Sequence, residues 1–479
     1  MKLNKRKKKK IIFIAIAIAL LFSIYLNTFL IIKYNVLPFK YLALYFVVVA
    51  LIPFLLIYST VFTRIRPVLK WIYATIEVLY LIILFLIFFY LNNTFNFLED
   101  FTSGLEYETK NYYVLALEDS TYKDINSLKN GLIGYSSALD VSAKHALDRL
   151  NKNNLYQSKD YEGYTFLLED LYNKEINAVL IIQSYYDMLI EIDETIEEKT
   201  KIIYLFSIKE EVNDIAKDVD VTKESFNIYI SGIDSYGSVT DTNRSDVNIV
   251  MSVNPKTNKI VLLNIPRDYY VTLAGDKDCA GQKDKLTHAG MYGVKTSAKT
   301  LENLLDIEIN YYIKVNYSAL INLVDALNGV NVYSKYEFTS GEEFYHFNKG
   351  YNEVNGRQAL EFVRTRKAFT GGDRVRGENQ QAMIQAIIKK ACNVSILLKY
   401  DDILKSLEGS FTTNLSTDKI ISLINMQLDK MPSWSMESIS LDGRDSKGYT
   451  CSYKGQELYV MDPKEESVLN VKEILKNNN

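Results

Sequence analysis

Three long apolar runs near the amino terminus constrain the fold of this chain more than any other feature. They cover residues 11–32, 41–61 and 71–91, and each has about 20 residues, the length that an α-helix needs to cross ~30 Å of hydrocarbon. The preceding KLNKRKKKK is typical of a signal peptide, but no small-residue cleavage site follows, and two further apolar runs do. The sequence therefore predicts three retained transmembrane helices within residues 11–92, after a basic tail over residues 1–10.

The charges beside these runs predict their orientation. The tail carries seven lysines and arginines, and the second connecting loop carries Arg64, Arg66 and Lys70, whereas the first loop has only Lys33 and Lys40. Because basic loops stay on the cytoplasmic side, the amino terminus is predicted to be cytoplasmic and everything after residue 92 extracytoplasmic. We therefore expect a multi-pass protein of the cell membrane.

The charge of the remaining chain restricts its partners. Up to residue 92 the chain has 12 basic residues and one acidic residue, so 43 basic and 57 acidic residues fall in the rest. Such an acidic part argues against nucleic-acid binding, which needs a basic surface. Arginine is rare, yet seven of the 12 arginines lie between residues 244 and 376. This clustering favours fork-shaped recognition of phosphate or carboxylate, which lysine does not supply.

The outer part divides by pattern into two α/β regions. Residues 93–220 combine β-rich runs such as NAVLIIQS with the helical YEGYTFLLEDLYNK, which predicts a small accessory domain without a catalytic constellation. Residues 221–479 begin with a buried strand, FNIYISGID, and continue with a hairpin made of SDVNIVMSVN and KIVLLNIPRD. Interleaved helices and strands follow, so we expect a mixed-sheet α/β sandwich with charged residues at strand ends and loops.

Two segments at strand ends indicate a metal and phosphate site. The first, SGIDSYG followed by NRSDV, contains Asp234, Arg244 and Asp246. Two acids beside an arginine suit Mg²⁺ next to a phosphate, although a lone Asp234 is also typical of a turn. The second segment, NIPRDYY, places Arg267 at the end of a buried strand, where a surface ion pair with Asp268 is the alternative.

Two further segments add arginines. In RTRK, an extended backbone would put Arg364 and Arg366 on one face, where both could bind one pyrophosphate; an exposed charged strand is the alternative. In GGDRVRGENQQ, a loop that opens a helix presents backbone donors suited to anions. That segment carries Asp373, Arg374, Arg376, Asn379 and Gln380. The segment KLTHAG adds Lys285 and also His288, which is more typical of a structural histidine.

The sequence does not contain the motifs of several other classes of catalytic site. The chain has no G-x-S-x-G, H-E-x-x-H or Walker loop, and its three histidines are far apart in sequence. Cys279, Cys392 and Cys451 allow at most one disulfide, and incidental buried thiols are the alternative. Arginines and carboxylates without a nucleophile–histidine pair favour phosphoryl transfer by positioning and charge neutralisation.

Taken in order, four segments resemble the LytR-CpsA-Psr (LCP) family of wall-glycopolymer transferases. They are GIDSYG, RSDVNIVMSVNPKTNKIVLLNIPRD, KLTHAG and ALEFVRTRKAFTGGDRVRGENQQ, within roughly residues 225–393. The three helices and the inserted domain further resemble its capsule-associated streptococcal, CpsA-like branch. The resemblance implies an α/β domain that holds a polyprenyl phosphate or pyrophosphate lipid. It also implies transfer of a glycosyl phosphate, from capsular polysaccharide or another anionic glycan, to a peptidoglycan hydroxyl.

The resemblance also implies roles for individual residues. Asp234 and Asp246 would hold Mg²⁺, or Mn²⁺ in its place, and Asp234 or Arg267 is conceivable as the general base. The pyrophosphate would be bound by five arginines, Arg244, Arg267, Arg364, Arg366 and Arg376, with Gln380 at the head group. Asp373 would orient nearby arginines, with Arg374 and Lys285 in supporting places. Arg374 and Arg376 compete for one family position, and the Asp-x-x-Arg spacing favours Arg376; Val247 stands where many relatives carry threonine.

Three other functions remain open from sequence. A lipid pyrophosphatase would use the same residues, with water in place of the glycan acceptor. A non-enzymatic envelope regulator would need a cytoplasmic nucleic-acid domain, yet only about 10 residues precede the first helix. A binding module without turnover would retain lipid or glycan independently of magnesium.

Overall fold

The computed structural model describes residues 5–34, 37, 39–102, 107–152, 155–212, 216–233, 236, 238–275, 279–393, 396, 403, 406–453 and 455–479. The chain divides into two compact units, which are described separately. The first contains residues 1–102, 220–222 and 416–433, and the second contains residues 103–219, 223–415 and 434–479.

The helices and strands of the described residues are numbered along the chain. The helices are α1 (Lys5–Lys33), α2 (Phe39–Phe46), α3 (Ile52–Ile57), α4 (Pro67–Thr102), α5 (Ala143–Leu150), α6 (Tyr164–Tyr172), α7 (Gln183–Ile192), α8 (Thr195–Lys199), α9 (Leu286–Ala289), α10 (Val294–Leu305), α11 (Tyr317–Ala326), α12 (Gly356–Arg364), α13 (Gly372–Ala391), α14 (Thr417–Lys430) and α15 (Glu465–Asn478). The strands are β1 (Tyr107–Leu117), β2 (Leu132–Tyr135), β3 (Gln157–Asp160), β4 (Ala178–Ile182), β5 (Thr200–Glu211), β6 (Phe226–Gly232), β7 (Val247–Asn254), β8 (Lys259–Asn264), β9 (Tyr270–Thr272), β10 (Lys283–Lys285), β11 (Tyr311–Val315), β12 (Val330–Ser334), β13 (Phe338–Thr339), β14 (His346–Phe347), β15 (Gly350–Val354), β16 (Phe411–Thr413), β17 (Ser435–Ser440), β18 (Gly443–Gly448) and β19 (Leu458–Pro463).

The first unit contains the three apolar helices that the sequence predicts. Within the described residues, three segments are long and apolar enough to cross a membrane: Lys7–Lys33, Tyr41–Phe62 and Pro67–Asn96. The second runs through α2 and α3, with two π-helical turns at Val47–Leu51 and Tyr58–Phe62. Buried polar groups pair between the helices: Thr60 donates to the Glu77 carboxylate at 2.8 Å, and Asn27 donates to the Leu84 carbonyl at 3.0 Å. Such pairing satisfies polar groups that would otherwise be buried in hydrocarbon.

A five-stranded sheet forms the amino-terminal part of the second unit. Its strand order is β3-β2-β4-β1-β5, with β1 antiparallel to β4 and β5, and β2 parallel to β3 and β4. The apolar strand β4 is buried along its whole length, as expected for a central strand covered on both faces. These are the β-rich runs and the helix α6 that the sequence predicts for residues 93–220.

A six-stranded mixed sheet forms the rest of the core of this unit. Its order is β16-β11-β6-β7-β8-β17, in which β6–β11 and β8–β17 are parallel and the other pairs antiparallel. The predicted hairpin is β7–β8, and Asn254 accepts hydrogen bonds from the backbone of Lys256 and Thr257 at 3.0 and 3.1 Å to close its turn. The mixed-sheet α/β architecture predicted from sequence is confirmed.

The two sheet regions pack together in one compact unit. Glu108 of β1 accepts a hydrogen bond from the Val294 backbone at 3.1 Å. Gly293 has a φ of +99°, and a Cβ there would lie 2.3 Å from the same Glu108 carboxylate, so this contact requires glycine. The division at residue 220 into accessory and catalytic domains remains a prediction.

A disulfide joins Cys279 to Cys451, which are 172 positions apart in sequence and have their Cα atoms 5.7 Å apart. The sequence allowed one bridge without identifying it. Cys392 is the remaining thiol, at the end of α13.

Replacing Cys279 or Cys451 by serine should lower the thermal unfolding temperature of the detergent-solubilised protein. The bridge closes a long loop, so its removal should cost about 2–5 kcal/mol in the free energy of unfolding. Cys392→Ser is the matched control and should unfold like the wild type. Equal unfolding temperatures for all three variants would contradict a stabilising disulfide.

Candidate functional site

A cavity of about 590 Å³ lies at one edge of the six-stranded sheet. Gly232 ends β6 and Val315 ends β11, and because these strands are parallel neighbours, their carboxyl ends meet at this edge. Helices α11, α12 and α13 supply further walls, together with residues of 339–342 and 365–368. One group of lining residues is apolar: Ile233, Val247, Val315, Leu320, Leu360 and Val363. A second group is charged or polar and includes Asp246, Arg364, Arg366, Arg376 and Gln380.

A buried ion pair joins Asp246, which lines the cavity, to Arg267, which is not among the lining residues. Arg267 Nη1 donates to Asp246 Oδ2 at 3.0 Å, and the Thr287 hydroxyl donates to Asp246 Oδ1 at 2.8 Å. The hairpin brings the pair together because Asp246 directly precedes β7 and Arg267 follows β8. Both side chains are more than nine-tenths buried. Each therefore depends on the other for compensation of its charge.

The electrostatics of this pair keep both groups ionised. Burial by itself would raise the pKa of Asp246, but Arg267, Arg244 and Arg376 lower it to about 2. Burial opposes the charge of Arg267 as well, yet Asp246, Asp268 and Glu191 raise the pKa of this guanidinium above its ordinary value. The site therefore contains a fixed carboxylate and a fixed guanidinium, and neither is suited to exchanging a proton.

Arg376 and Gln380 lie four residues apart on α13, so both side chains are on the same face of the helix, and both line the cavity. The helix is fixed on the sheet by Gln381, whose amide donates to the carbonyls of Leu262 and Ile439 at 2.7 and 2.6 Å. Arg376 Nη2 lies 2.5 Å from Asp373 Oδ1, as expected if Asp373 orients an arginine.

Arg374 points elsewhere: it donates to the Gly443 carbonyl at 3.0 Å and does not line the cavity. The structure thus brings Arg376 and not Arg374 to the cavity, as the Asp-x-x-Arg spacing favours. The predicted loop over GGDRVRG is wrong, because α13 already begins at Gly372.

Arg364 and Arg366 both line the cavity, but their backbone conformation differs from the one expected from sequence. The extended backbone predicted for RTRK is wrong, since Arg364 ends α12 and only the residues after it leave the helix. A capping box between Asn355 and Gln358 starts this helix, and buried Leu360 and Phe362 hold it against the core. Arg364 stacks over the Tyr317 ring at 4.6 Å, and Arg366 is exposed at the cavity.

Arg244 is not among the residues that line the cavity, and it contacts a residue that the sequence analysis missed. Its guanidinium pairs with Glu191 of α7, and Arg267 Nη2 lies 3.5 Å from the other oxygen of that carboxylate. Nothing in the sequence distinguishes Glu191 from the other acids of residues 93–220. Thr287 was also missed, although it belongs to the KLTHAG segment that was singled out.

The remaining predicted residues lie outside the cavity or outside the described structure. Lys285 Nζ donates to Asp268 at 2.8 Å, beside Arg267 but away from the cavity lining. His288 is buried against Asp284 and Ser452, at 2.6 and 2.7 Å, as expected for a structural histidine. Asp234 lies outside the described residues; Ile233, directly before it, lines the cavity.

Comparison of this chain with known proteins identifies the family to which it belongs. A model of the LytR_cpsA_psr family matches residues 179–477. The chain is 36% identical over 206 residues to the polyisoprenyl-teichoic acid–peptidoglycan teichoic acid transferase TagU of Bacillus subtilis (strain 168). This match covers 43% of this chain and 65% of that protein. TagU of Bacillus anthracis (strain CDC 684 / NRRL 3495) is 38% identical over 201 residues, covering 42% of this chain and 64% of that protein.

Each match thus spans slightly under two thirds of the relative's length. Among solved structures, the crystal structure of B. subtilis TagU has 31% sequence identity and a TM-score of 0.42, covering 53% of this chain and 97% of that chain.

The two arginines of α13 should differ in anion binding. Arg376→Met removes a buried guanidinium from the cavity and should weaken binding of inorganic pyrophosphate by about tenfold or more, since hydrogen bonds to charged groups are lost. Arg374→Met should change the affinity by less than about twofold. Isothermal titration calorimetry on both folded variants measures this, and equal losses would contradict the assignment of Arg376.

Proposed function

This chain belongs to the LytR-CpsA-Psr family, and on that premise we propose that it is a membrane-anchored phosphotransferase of cell-wall assembly. It moves a phosphate-linked glycan from a polyprenyl carrier lipid to peptidoglycan. The observation that carries the proposal is the cavity itself, in which an apolar region adjoins Asp246, Arg364, Arg366 and Arg376. The names of the relatives describe a transfer of this class, from a polyisoprenyl-linked teichoic acid to peptidoglycan.

The two regions of the cavity match the two parts of such a lipid. A polyprenyl chain needs apolar walls, which Ile233, Val247, Leu320 and Leu360 offer. A pyrophosphate needs several cations, because its charge has to be neutralised when it leaves water. Three arginines that line the cavity, Arg364, Arg366 and Arg376, supply positive charge.

The proposed reaction is an in-line displacement at phosphorus. An acceptor hydroxyl oxygen of peptidoglycan forms a bond to the phosphorus nearest the sugar. The bond from this phosphorus to the bridging oxygen breaks, and its electron pair leaves on polyprenyl phosphate. The hydroxyl proton passes to a base or to water. The transition state spreads negative charge over the phosphoryl oxygens, so preorganised guanidinium donors accelerate the step.

The geometry restricts the role of each charged group. Arg267 remains protonated, so it acts by stabilising charge and is a poor candidate for the general base. Asp246 is held ionised and accepts from both Thr287 and Arg267, which favours positioning over proton transfer. Asp234, the other base considered from sequence, lies outside the described residues, so its role stays a prediction.

We propose that a magnesium ion is shared between substrate and Asp246, the aspartate that lines the cavity. The described residues contain no group of three or more His, Cys, Asp or Glu side chains able to hold a metal by themselves. Mg²⁺ is commonly held by one or two carboxylates together with substrate phosphates and waters. Asp246, with Asp234 as the second carboxylate, would hold Mg²⁺ or Mn²⁺, and the ion would neutralise developing charge on the pyrophosphate.

The finer identity of the glycan follows from the resemblance to the capsule-associated branch. Three amino-terminal helices and an inserted α/β region are the features of that branch, so we propose a capsular polysaccharide as the transferred glycan. The relatives' names specify teichoic acid, another anionic wall polymer, which makes teichoic acid the comparison substrate.

A transfer assay with defined substrates tests the proposal. Purified full-length protein, a polyprenyl-pyrophosphoryl glycan, Mg²⁺ and peptidoglycan fragments should yield glycan–phosphate–peptidoglycan and polyprenyl phosphate. Asp246→Asn and Arg267→Lys should each lower turnover by about 10²-fold or more while the protein stays folded, because a preorganised charge contact is lost. Arg357→Lys, on the exposed face of α12 and paired with Glu343, is the matched control.

The products also separate the competing functions. Release of glycosyl phosphate without coupling to peptidoglycan would favour a lipid pyrophosphatase. Retention of lipid without turnover, whether or not Mg²⁺ is present, would favour a binding module. Unchanged turnover in Asp246→Asn or Arg267→Lys would remove that residue from the mechanism.

We place the catalytic region outside the cell membrane and the amino terminus in the cytoplasm. The basic loops support this orientation, and the Cys279–Cys451 disulfide is typical of an oxidising compartment. Alkaline phosphatase is active only after export, so a fusion after residue 92 should be active and one after residue 66 inactive. The reverse pattern would contradict the topology and would revive a cytoplasmic regulatory role.

A further inference from the structure

Glu191 connects the amino-terminal sheet region to the arginines of the site. It lies in the last turn of α7, and its two carboxylate oxygens contact two different guanidiniums. One oxygen pairs with Arg244 Nη1, and the other lies 3.5 Å from Arg267 Nη2. A carboxylate that bridges two arginines in this way places its oxygens where two oxygens of a phosphate group would lie.

Three carboxylates lie beside Arg267, and Asp268 is the most distant of them, 3.9 Å from Nε. The two that face its Nη atoms, Asp246 and Glu191, differ in how firmly they are held. The Asp246 side chain is 5% exposed and hydrogen-bonds Arg267 at 3.0 Å, whereas the Glu191 side chain is 50% exposed and lies 3.5 Å away. Removing Asp246 from Arg267 would leave a charge buried without a partner, which is costly. Glu191 can turn into water and stay solvated. Asp246 is therefore the fixed partner of Arg267, and Glu191 is the exchangeable one.

The arginines themselves retain donors for a further acceptor. Among the described residues, none accepts a hydrogen bond from the buried Nε atoms of Arg244, Arg267 and Arg376. Arg267 and Arg376 are 7% and 6% exposed, so these donors are largely out of contact with bulk water. Buried donors without an acceptor carry a free-energy cost that an entering anion relieves. A pyrophosphate has more charge and more acceptor oxygens than one carboxylate, which favours the exchange.

We propose that Glu191 is an internal competitor for the pyrophosphate site, bridging Arg244 and Arg267 until a substrate phosphate displaces it. This inference rests on the proposed function, because it takes the arginine cluster as the binding site of a pyrophosphate. It gives α7 a specific role: the helix lowers the affinity of the empty site for weakly charged anions.

The position of Glu191 is fixed by the rest of its helix. Gln183, two turns earlier on the same face, accepts a hydrogen bond from Asn111 of β1 at 3.1 Å. Burial raises the pKa of Asp187, which lies between them on the helix, and the nearby charge of Arg244 opposes that rise. The acidic face of α7 thus remains opposite Arg244 when the Glu191 side chain turns away.

Direct binding of inorganic pyrophosphate to the full-length protein in detergent tests the proposal. Isothermal titration calorimetry at fixed Mg²⁺ concentration should show about fivefold tighter binding to Glu191→Gln than to the wild type, the change expected for loss of one partly exposed ion pair. Glu191→Asp keeps the charge on a shorter side chain and should give an intermediate affinity. Glu169→Gln, an exposed position on α6, removes the same charge and should bind like the wild type.

Each result is decisive for one of the two proposals. Tighter binding to Glu191→Gln alone supports competition, and a purely structural ion pair does not predict it. Unchanged or weaker binding to a folded Glu191→Gln, with normal binding to the wild type, overturns the role of Glu191 and leaves the proposed function standing. If Glu191→Gln does not fold, Glu191→Asp decides by the same comparison. Absence of pyrophosphate binding to the wild type overturns both the competition and the pyrophosphate site.

Discussion

The buried pair of Asp246 and Arg267 is the interaction on which the rest of the site depends. A carboxylate and a guanidinium removed from water stay charged chiefly because each compensates the other, and Thr287 supplies a second hydrogen bond to the carboxylate. The pair lies where β7 begins and β8 ends, so the hairpin register determines its geometry. That register in turn is held by β6 and β17 on either side of the hairpin. A slip of one residue would move every side chain of a strand to the other face of the sheet and separate the pair.

The helices add cations to this fixed centre. Gln381 attaches α13 to the carbonyls of two adjacent parallel strands, and Gly377 allows the helix to approach Asn264, because a Cβ there would lie 2.3 Å from the Asn264 amide. The close approach brings Arg376 next to Asp246 and Arg267. Cations without an anion repel one another, so Asp373 and Glu191 offset part of the charge. The result is a positively charged site beside an apolar cavity. Asp246 is a fixed partner of its arginines, whereas Glu191 is an exchangeable one.

Local sequence patterns predicted most helices and strands. Which side chains contact one another across the fold became known only from the structure. The apolar run of FNIYISGID predicted a buried strand, the turn residues between SDVNIVMSVN and KIVLLNIPRD predicted the hairpin, and the long apolar runs predicted the three amino-terminal helices. RTRK was misassigned because a charged stretch shows no apolar periodicity, while the capping box upstream continued α12 to Arg364. Spacing distinguished Arg376 from Arg374 because helical geometry is regular. Glu191 could not be predicted, since its role arises from packing between residues far apart in sequence. Asp234 lies outside the described residues, so its two proposed roles remain predictions.

The central claim is that the cavity beside these arginines holds a polyprenyl phosphate lipid. The most direct measurement is mass spectrometry of lipids that co-purify with the detergent-extracted wild-type protein and with its Arg376→Met variant. The account predicts a polyprenyl phosphate or pyrophosphate species in roughly stoichiometric amount with the wild type, and a clear loss of it from the variant, which lacks a head-group cation. Recovery of only bulk membrane phospholipids, in equal amounts from both proteins, would contradict it.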